Sequence, residues 1–230
     1  MSRYCEMKGE QDKALTLVEK AIKLRPTYQN AYLLKGALLL SNRPTEALQT
    51  FYLAYEISAD LDAVRGLVEA YTGCSRFADA LLLSKETLQK YPRNARALTL
   101  IGTLLSHKQE SREKAKKALQ SSLSIDPNSL ETVVTLVAVY VAENNTVEAI
   151  RLLEESLEKH NSDFLHTRIA DVFTLTSDYK QALDHYNVSL SFNPSNQRAL
   201  EGIKRVERLM AQGGREEAAE GEEEDDPMNE

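Results

Sequence analysis

Histidine is the residue type in this sequence best suited to metal binding and to proton transfer near neutral pH. The four histidines are His107, His160, His166 and His185. Zinc hydrolases hold their metal with a His-Glu-x-x-His helix, and other zinc sites combine histidines with closely spaced cysteines. Neither pattern surrounds these four residues. We therefore assign them structural or surface positions and predict no metal site.

The cysteines and glycines give no stronger indication of a catalytic, metal-binding or phosphate-binding site. Cys5 and Cys74 lie 69 residues apart, which suggests neither a disulfide framework nor a zinc cluster. A reactive thiolate needs cationic neighbours, and near Cys74 the sequence supplies only Arg76. The scattered glycines form no phosphate-binding loop. We predict no catalytic residue, no cofactor and no enzyme activity.

The acidic charge of the chain is concentrated at its C-terminal end. All 230 residues together carry −7, and residues 215–230, with nine acids and one arginine, carry −8, which leaves +1 for residues 1–214. A nearly neutral body without a basic patch is unlike a nucleic-acid-binding protein. No signal peptide and no apolar run of membrane-spanning length stand out. We expect a soluble intracellular protein with no nucleic-acid or membrane partner.

A repeat of about 34 residues runs through the sequence. It is marked by six alanines at spacings of 33 to 35 residues: Ala14, Ala47, Ala80, Ala115, Ala149 and Ala182. In four repeats a proline follows twelve residues later, as in Pro194, and ends the helix because it has no N–H to donate. Upstream, apolar residues at i, i+1 and i+4, such as Ile169, Ala170 and Phe173, form a helical stripe. This pattern predicts an all-α tetratricopeptide-repeat (TPR) superhelical solenoid of antiparallel helix pairs.

The alanine register also predicts the domain boundaries. Residues 1–27 form a partial repeat, with the last turns of one helix and a complete second helix, so the chain is expected to begin inside a repeat. Five complete repeats follow at 28–61, 62–94, 95–128, 129–162 and 163–196. Residues 197–211 are predicted as a capping helix. Order is expected to end at Gly213 and Gly214, which makes 212–230 a disordered acidic tail.

Small residues are required where the two helices of a repeat cross closely, because a bulky side chain would separate them. The predicted packing residues are the six alanines together with Gly36, Gly102 and Ala170. The first helices of the repeats are expected to line a groove for an extended peptide. The candidate groove residues are Asn30, Leu33, Ala37, Arg65, Glu69, Arg96, Thr99, Thr103, Val134, Ala138, Thr167 and Asp171. Leu33, Ala37, Arg65 and Glu69 stand where a chaperone-binding clamp would need lysine and asparagine, so we predict no chaperone docking.

At positions other than those that define the repeat, the amino-acid sequence resembles that of the subunit 7 family of the anaphase-promoting complex (cyclosome). The stretches that carry the likeness include YCEMKGEQDKALTLVEKAIKLRPTYQNAYLLKGALLL, DAVRGLVEAYTGCSRFADAL and DYKQALDHYNVSLSFNPSNQRALEGIKRVE. The likeness covers residues 1–211 and is weakest over 129–165. It implies a non-catalytic scaffold subunit of a multisubunit E3 ubiquitin ligase that controls cell-cycle progression and mitosis. The implied location is nuclear and cytoplasmic.

The same resemblance implies that the partners are other TPR subunits of that complex, with ubiquitin transferred by different subunits. In this family, homodimers form through N-terminal repeats. Those repeats lie outside the register found here, so the resemblance makes no prediction about a homodimer of this chain. A free-standing adaptor that binds a peptide in the groove is the alternative interpretation. A third is a repeat domain of glycosyltransferase or cochaperone type separated from its catalytic part. The mass of the native complex distinguishes a scaffold from an adaptor.

Overall fold

The computed structural model describes the backbone of residues 2–223 and the side chains of residues 10–212. The described residues contain no β-strand, in agreement with the predicted all-α class. The helices are α1 (Ser2–Leu24), α2 (Gln29–Leu40), α3 (Pro44–Ile57), α4 (Leu61–Gly73), α5 (Phe77–Lys90), α6 (Ala95–Ser106), α7 (Arg112–Ile125), α8 (Leu130–Ala142), α9 (Thr146–Lys159), α10 (Asp163–Leu175), α11 (Tyr179–Phe192) and α12 (Gln197–Glu223). A short 3-10 turn, Gln109–Ser111, precedes α7.

The helices fall into two compact units, one within Met1–Pro127 and the other within Asn128–Glu230. In each unit, consecutive helices pack against one another as pairs. In the first unit α2 also contacts α4, and in the second unit α10 also contacts α12. The first helix of one repeat therefore lies beside the first helix of the next, which is the arrangement that forms a TPR groove.

Polar side chains fix where many of these helices begin. Asp60 accepts hydrogen bonds from the backbone N–H groups of Asp62 and Ala63, at 3.1 and 2.9 Å. Such caps satisfy N–H groups that have no partner inside the helix. Side chains that cap later helices in the same way are Asn94, Ser129, Asn145, Ser162 and Asp178. The repeats thus carry their own start signals as well as the prolines that end them.

The alanine register lies at the centre of the packing. Ala47, Ala80, Ala115, Ala149 and Ala182 have no exposed surface, whereas Ala14 on α1 is half-buried. Ala170 is also fully buried, and Gly36 and Gly102 are buried within their helices. Four residues after the alanine, large side chains such as Phe51, Leu119 and Tyr186 fill the space between helices. Small residues in the facing helices make room for these large side chains.

Two predicted boundaries are corrected by the structure. Residues 2–24 form one continuous helix, where the sequence predicted the end of one helix and a separate second one. The segment before Ala14 contains no proline that would stop the helix. At the other end, α12 passes through Gly213 and Gly214 to Glu223, beyond the predicted limit of 211. Glutamate, alanine and arginine around the two glycines are strong helix formers; residues 224–230 lie outside the described part.

Candidate protein-binding groove

In the first unit, each charged residue predicted for the groove is paired with an opposite charge. Arg65 Nη1 lies 3.8 Å from Glu69 Oε1 on the same helix, α4. Arg96 on α6 pairs with Asp62 on α4. These side chains are about half exposed, so each pair is worth little energy. Nevertheless, the pairing leaves this part of the groove without an excess of either charge.

Two predicted groove residues, Thr99 and Thr167, are instead buried, with 3% and 2% of their surfaces exposed. The Thr99 hydroxyl lies 2.9 Å from Ser122 Oγ, and the Thr167 hydroxyl lies 2.8 Å from Ser189 Oγ. The serine belongs in each case to the second helix of the same repeat. A buried hydroxyl needs a hydrogen-bond partner, and this helix pair supplies one. The two threonines therefore hold the repeat together and do not face a ligand.

The remaining predicted groove residues in the first unit are spread over different environments. Asn30 and Ala37 are exposed on α2, and Leu33 is half-buried on the same helix. Thr103 is half-buried on α6, and its hydroxyl donates a hydrogen bond to the Thr99 carbonyl at 2.9 Å. Two cavities in this unit are lined by other residues. In the first unit, the predicted groove residues therefore form a surface on which polar and apolar side chains are mixed.

In the second unit, a cavity of about 200 Å³ lies between α8 and α10. Its lining comprises Val134, Val137, Ala138, Val141, Leu153, Arg168, Asp171, Val172, Leu175 and Arg198. The sequence predicted Val134, Ala138 and Asp171 at this groove and missed the others. A signal was present in α8, LETVVTLVAVYVA, which is apolar on nearly all sides and therefore predicts burial of more than one face.

The edge of this cavity is organised by Asp171 on α10. Its Oδ2 atom lies 2.7 Å from Arg198 Nη2, and its Oδ1 atom lies 3.3 Å from Arg205 Nη2. The Tyr186 hydroxyl donates to the same Oδ1 atom at 2.8 Å. Burial raises the pKa of Tyr186, which keeps its hydroxyl protonated as a donor. Both arginines come from α12, so this helix completes the wall of the groove.

Arg168 is the second arginine of the cavity, and its side chain makes no ion pair with any other described residue. Its guanidinium lies over the Phe164 ring, 5.1 Å from the centroid, and its Nε atom is buried without a hydrogen bond. Burial, followed by repulsion from Arg198, lowers the pKa of Arg168. The side chain as a whole is half-buried, and an unused donor on a partly buried cation favours a ligand that supplies an acceptor.

The structure also brings together two histidines that no sequence pattern pairs. His166 Nδ1 lies 3.0 Å from His185 Nδ1, and His166 Nε2 lies 3.0 Å from Asn161 Oδ1. Burial is the main cause that lowers the pKa of each histidine, so both rings are held neutral. No cluster of three or more His, Cys, Asp or Glu side chains suited to a metal occurs among residues 10–212. The pair is a hydrogen-bonded part of the core.

Two further features bear on what this part of the chain does. Cys74 is a half-buried free thiol that caps α4. Within the described residues, none of the helices combines the length and the apolar character that crossing a bilayer requires. The groove in the second unit, with its apolar lining and two arginines, is the candidate site.

Comparisons with known proteins agree with the repeat. The tetratricopeptide-repeat family model matches residues 95–129. The structure is similar to TTC0263, a TPR protein of Thermus thermophilus, with a TM-score of 0.64 and 18% identity over 80% of this chain and 99% of that one. Yeast Tom70 gives a TM-score of 0.69 and 18% identity over 86% of this chain and 43% of that one. These likenesses confirm the predicted helical TPR fold.

Curated relatives match most of this sequence. The anaphase-promoting complex subunit 7 of Arabidopsis thaliana is 34% identical over 198 residues, and that of Dictyostelium discoideum is 34% identical over 206. The Homo sapiens protein of that name is 31% identical over 198 residues. These alignments cover 85–89% of this chain and 35–36% of the relatives' length. The chain is therefore a tetratricopeptide-repeat protein that is similar to subunit 7 of the anaphase-promoting complex over most of its own length, and it spans about a third of the length of these relatives.

Proposed function

We propose that this chain is a non-catalytic TPR scaffold of the anaphase-promoting complex, a multisubunit E3 ubiquitin ligase that controls cell-cycle progression. The observation that carries the proposal is the identity of 31–34% with four proteins named as subunit 7, over 85–89% of this chain. The partners we propose are other TPR subunits of that complex. Because the chain spans about a third of its relatives, the proposal concerns the part that it contains.

Exposed apolar side chains support a role in lasting protein contacts. On α3, Tyr52 and Leu53 are 52% and 48% exposed, and on α9, Val147 is 74% exposed. These residues lie on second helices of their repeats, away from the groove lined by the first helices. Stable subunit interfaces are larger and more apolar than transient ones. We propose that these outward faces contribute to contact with neighbouring subunits.

The test is affinity purification of the tagged chain from dividing cells, followed by mass spectrometry. We expect other TPR subunits of the complex to be recovered. The double variant Tyr52→Ser and Leu53→Ser should reduce their recovery, because it removes exposed apolar surface without opening the core. Lys180→Ser, an exposed substitution on α11, is the matched control and should leave recovery unchanged. Recovery of chaperones alone would contradict the scaffold.

The non-catalytic part of the proposal has its own test. Cys74 is the single thiol among residues 10–212, and it has no cationic partner beyond the nearby Arg76, which already binds Asp79 at 2.7 Å. Ubiquitin ligase activity of the recovered complex should therefore be unchanged by Cys74→Ser. A loss of activity with the subunits still present would overturn the non-catalytic role.

We also propose a nuclear and cytoplasmic location, which follows from the same relationship. Imaging of the fluorescently tagged chain through the cell cycle tests it, and confinement to a membrane compartment would contradict it. A free-standing adaptor is the second candidate, favoured by the groove in the second unit. An adaptor should be found mainly outside large assemblies, with one short peptide motif common to its partners.

A further inference from the structure

The size and lining of the cavity between α8 and α10 suit one side chain of a peptide. Pockets for drug-sized ligands usually measure about 300–1,000 Å³, and this cavity measures about 200 Å³. Valine, alanine and leucine side chains form most of its lining. Leu175 at its edge is 65% exposed. An aliphatic side chain of a ligand that entered the cavity would cover the apolar lining and would itself be removed from contact with water.

The cavity also carries an excess of positive charge. Two arginines and one aspartate belong to its lining. The single carboxylate, Asp171, is already engaged by Arg198, Arg205 and the Tyr186 hydroxyl. Arg168 therefore pairs with no carboxylate of the described residues, and its buried Nε atom has no acceptor. Because the Arg168 side chain is only half-buried, a ligand carboxylate would pair with its guanidinium through a charge-assisted hydrogen bond.

The first unit provides a contrast within the same chain. There the groove cations Arg65 and Arg96 are paired with Glu69 and Asp62. Two cavities of that unit are lined by neither of these arginines. Within the described residues, the cavity at α8, α10 and α12 thus combines an apolar lining with an arginine that has no carboxylate partner, and the groove cations of the first unit do not share this combination.

We propose that this cavity binds a segment of another protein in which an aliphatic side chain stands next to an aspartate or glutamate. The aliphatic side chain fills the space between Val134, Val141 and Leu175. The neighbouring carboxylate accepts hydrogen bonds from Arg168. The inference rests on the proposed role as a protein-interaction subunit, and it adds the chemistry of one partner to that role.

The experiment uses the complete 230-residue chain and short synthetic peptides with a fluorescent N-terminal label and an amidated C-terminus. The probe contains Asp-Leu-Asp between Gly-Ser flanks, and its matched controls contain Asn-Leu-Asn and Asp-Ala-Asp. Binding is measured by fluorescence anisotropy at low salt, because salt screens exposed charges. We expect saturable binding of the Asp-Leu-Asp peptide and a dissociation constant weaker by about tenfold for each control.

Variants of the protein locate the binding site. Arg168→Gln and Leu175→Ser should each weaken binding of the Asp-Leu-Asp peptide by about tenfold. Leu175 is largely exposed, so its replacement leaves the core intact, and circular dichroism verifies the fold of both variants. Arg151→Gln is the matched control. This substitution removes an arginine side chain from the same unit, at an exposed position where Arg151 pairs with Glu148. Binding of the peptide should be unchanged.

Several results would overturn the inference: no saturable binding, equal binding of Asp-Leu-Asp and Asn-Leu-Asn, or equal effects of Arg168→Gln and Arg151→Gln. A peptide copied from residues 223–230 of this chain, EEDDPMNE, tests for a second copy as the occupant; tighter binding of that peptide would also overturn the choice of another protein. These outcomes are separate from the co-purification test. Recovery of TPR subunits without peptide binding would leave the scaffold and remove only this site.

Discussion

Phe51 on α3 occupies the space that a side chain at Gly66 on α4 would need. A Cβ atom added to Gly66 would lie 2.3 Å from Phe51 Cδ1, and one added to Gly36 on α2 would lie 2.6 Å from Phe51 Cζ. One aromatic ring is thus held between glycines of two neighbouring repeats. A related contact occurs in the second unit, where one glycine lies against a ring and a Cβ at Gly202 would lie 2.3 Å from Tyr186 Cζ.

Gly66→Ala should lower the free energy of unfolding by about 1–3 kcal/mol, because the added methyl group overpacks a closed contact. Urea denaturation measures the change. The double variant Gly66→Ala and Phe51→Leu is the control, because the smaller side chain makes room for the methyl group. It should lose less stability than the sum of the two single variants. Additive losses would show that the two residues do not share this space.

Ala182→Leu should also destabilise the chain by about 1–3 kcal/mol, since Ala182 is fully buried at the contact of α10 and α11 and has no room for a larger side chain. Lys180→Leu, at an exposed position on the same helix, is the control and should change stability little. Equal effects of the two substitutions in a denaturant series would contradict the alanine register.

Stability should fall as the pH drops below neutrality, and the pair of His166 and His185 should contribute to that fall. Burial lowers both pKa values in the folded chain, so the unfolded chain binds protons first. The stabilising effect is complete above the unfolded pKa of about 6.5 and is lost as the pH falls through the folded pKa. Glu154 and Asp184 near His185 oppose this effect, but burial is the larger cause.

The histidine prediction is measured by urea denaturation at about pH 7.5 and about pH 5.5, on either side of the unfolded pKa, in wild type and in His185→Asn. The asparagine keeps an N–H donor near the position of His185 Nδ1 and does not titrate. The variant should lose less stability than wild type between the two pH values. An equal loss in both proteins would mean that this pair does not sense pH.

Ser177 lies in the turn between α10 and α11 with φ of 60°, in the left-handed region that glycine adopts without strain. Ser177→Gly should leave the free energy of unfolding unchanged or raise it by up to about 1 kcal/mol. Ser191→Gly, at an exposed helical position on α11, should lower it by about 0.5 kcal/mol. Thermal melts of the two variants compare them directly, and a larger loss for Ser177→Gly would contradict the assigned turn.

The repeat could be predicted from the sequence because its signals are local. A small residue at the crossing and a proline twelve residues later act within one helix pair, so Ala182 and Pro194 were sufficient to place α11. The limits of α1 and α12 were harder to predict, because Gly213 and Gly214 weaken a helix without stopping it. Helix ends depend on the balance of many small preferences.

The candidate site was predictable only in part, because its chemistry depends on contacts between helices, both within one repeat and between repeats. Thr99 and Thr167 occupy groove positions in the register, yet Ser122 and Ser189 draw them into the core. The unpaired state of Arg168 depends on Asp171 being occupied by arginines of α12, at least 27 residues away in sequence. No pattern in one helix reveals such competition between partners.

The central claim, that this chain is a scaffold of a large TPR-containing ligase, is tested most directly by the native mass of its assembly. The tagged chain, 25.8 kDa before tagging, is extracted from dividing cells and sized by gel filtration with mass spectrometry of each fraction. We expect the chain to elute in a megadalton-range assembly together with other TPR subunits of the anaphase-promoting complex. Elution of the chain mainly as a free monomer, with those subunits in different fractions, would rule out the scaffold role.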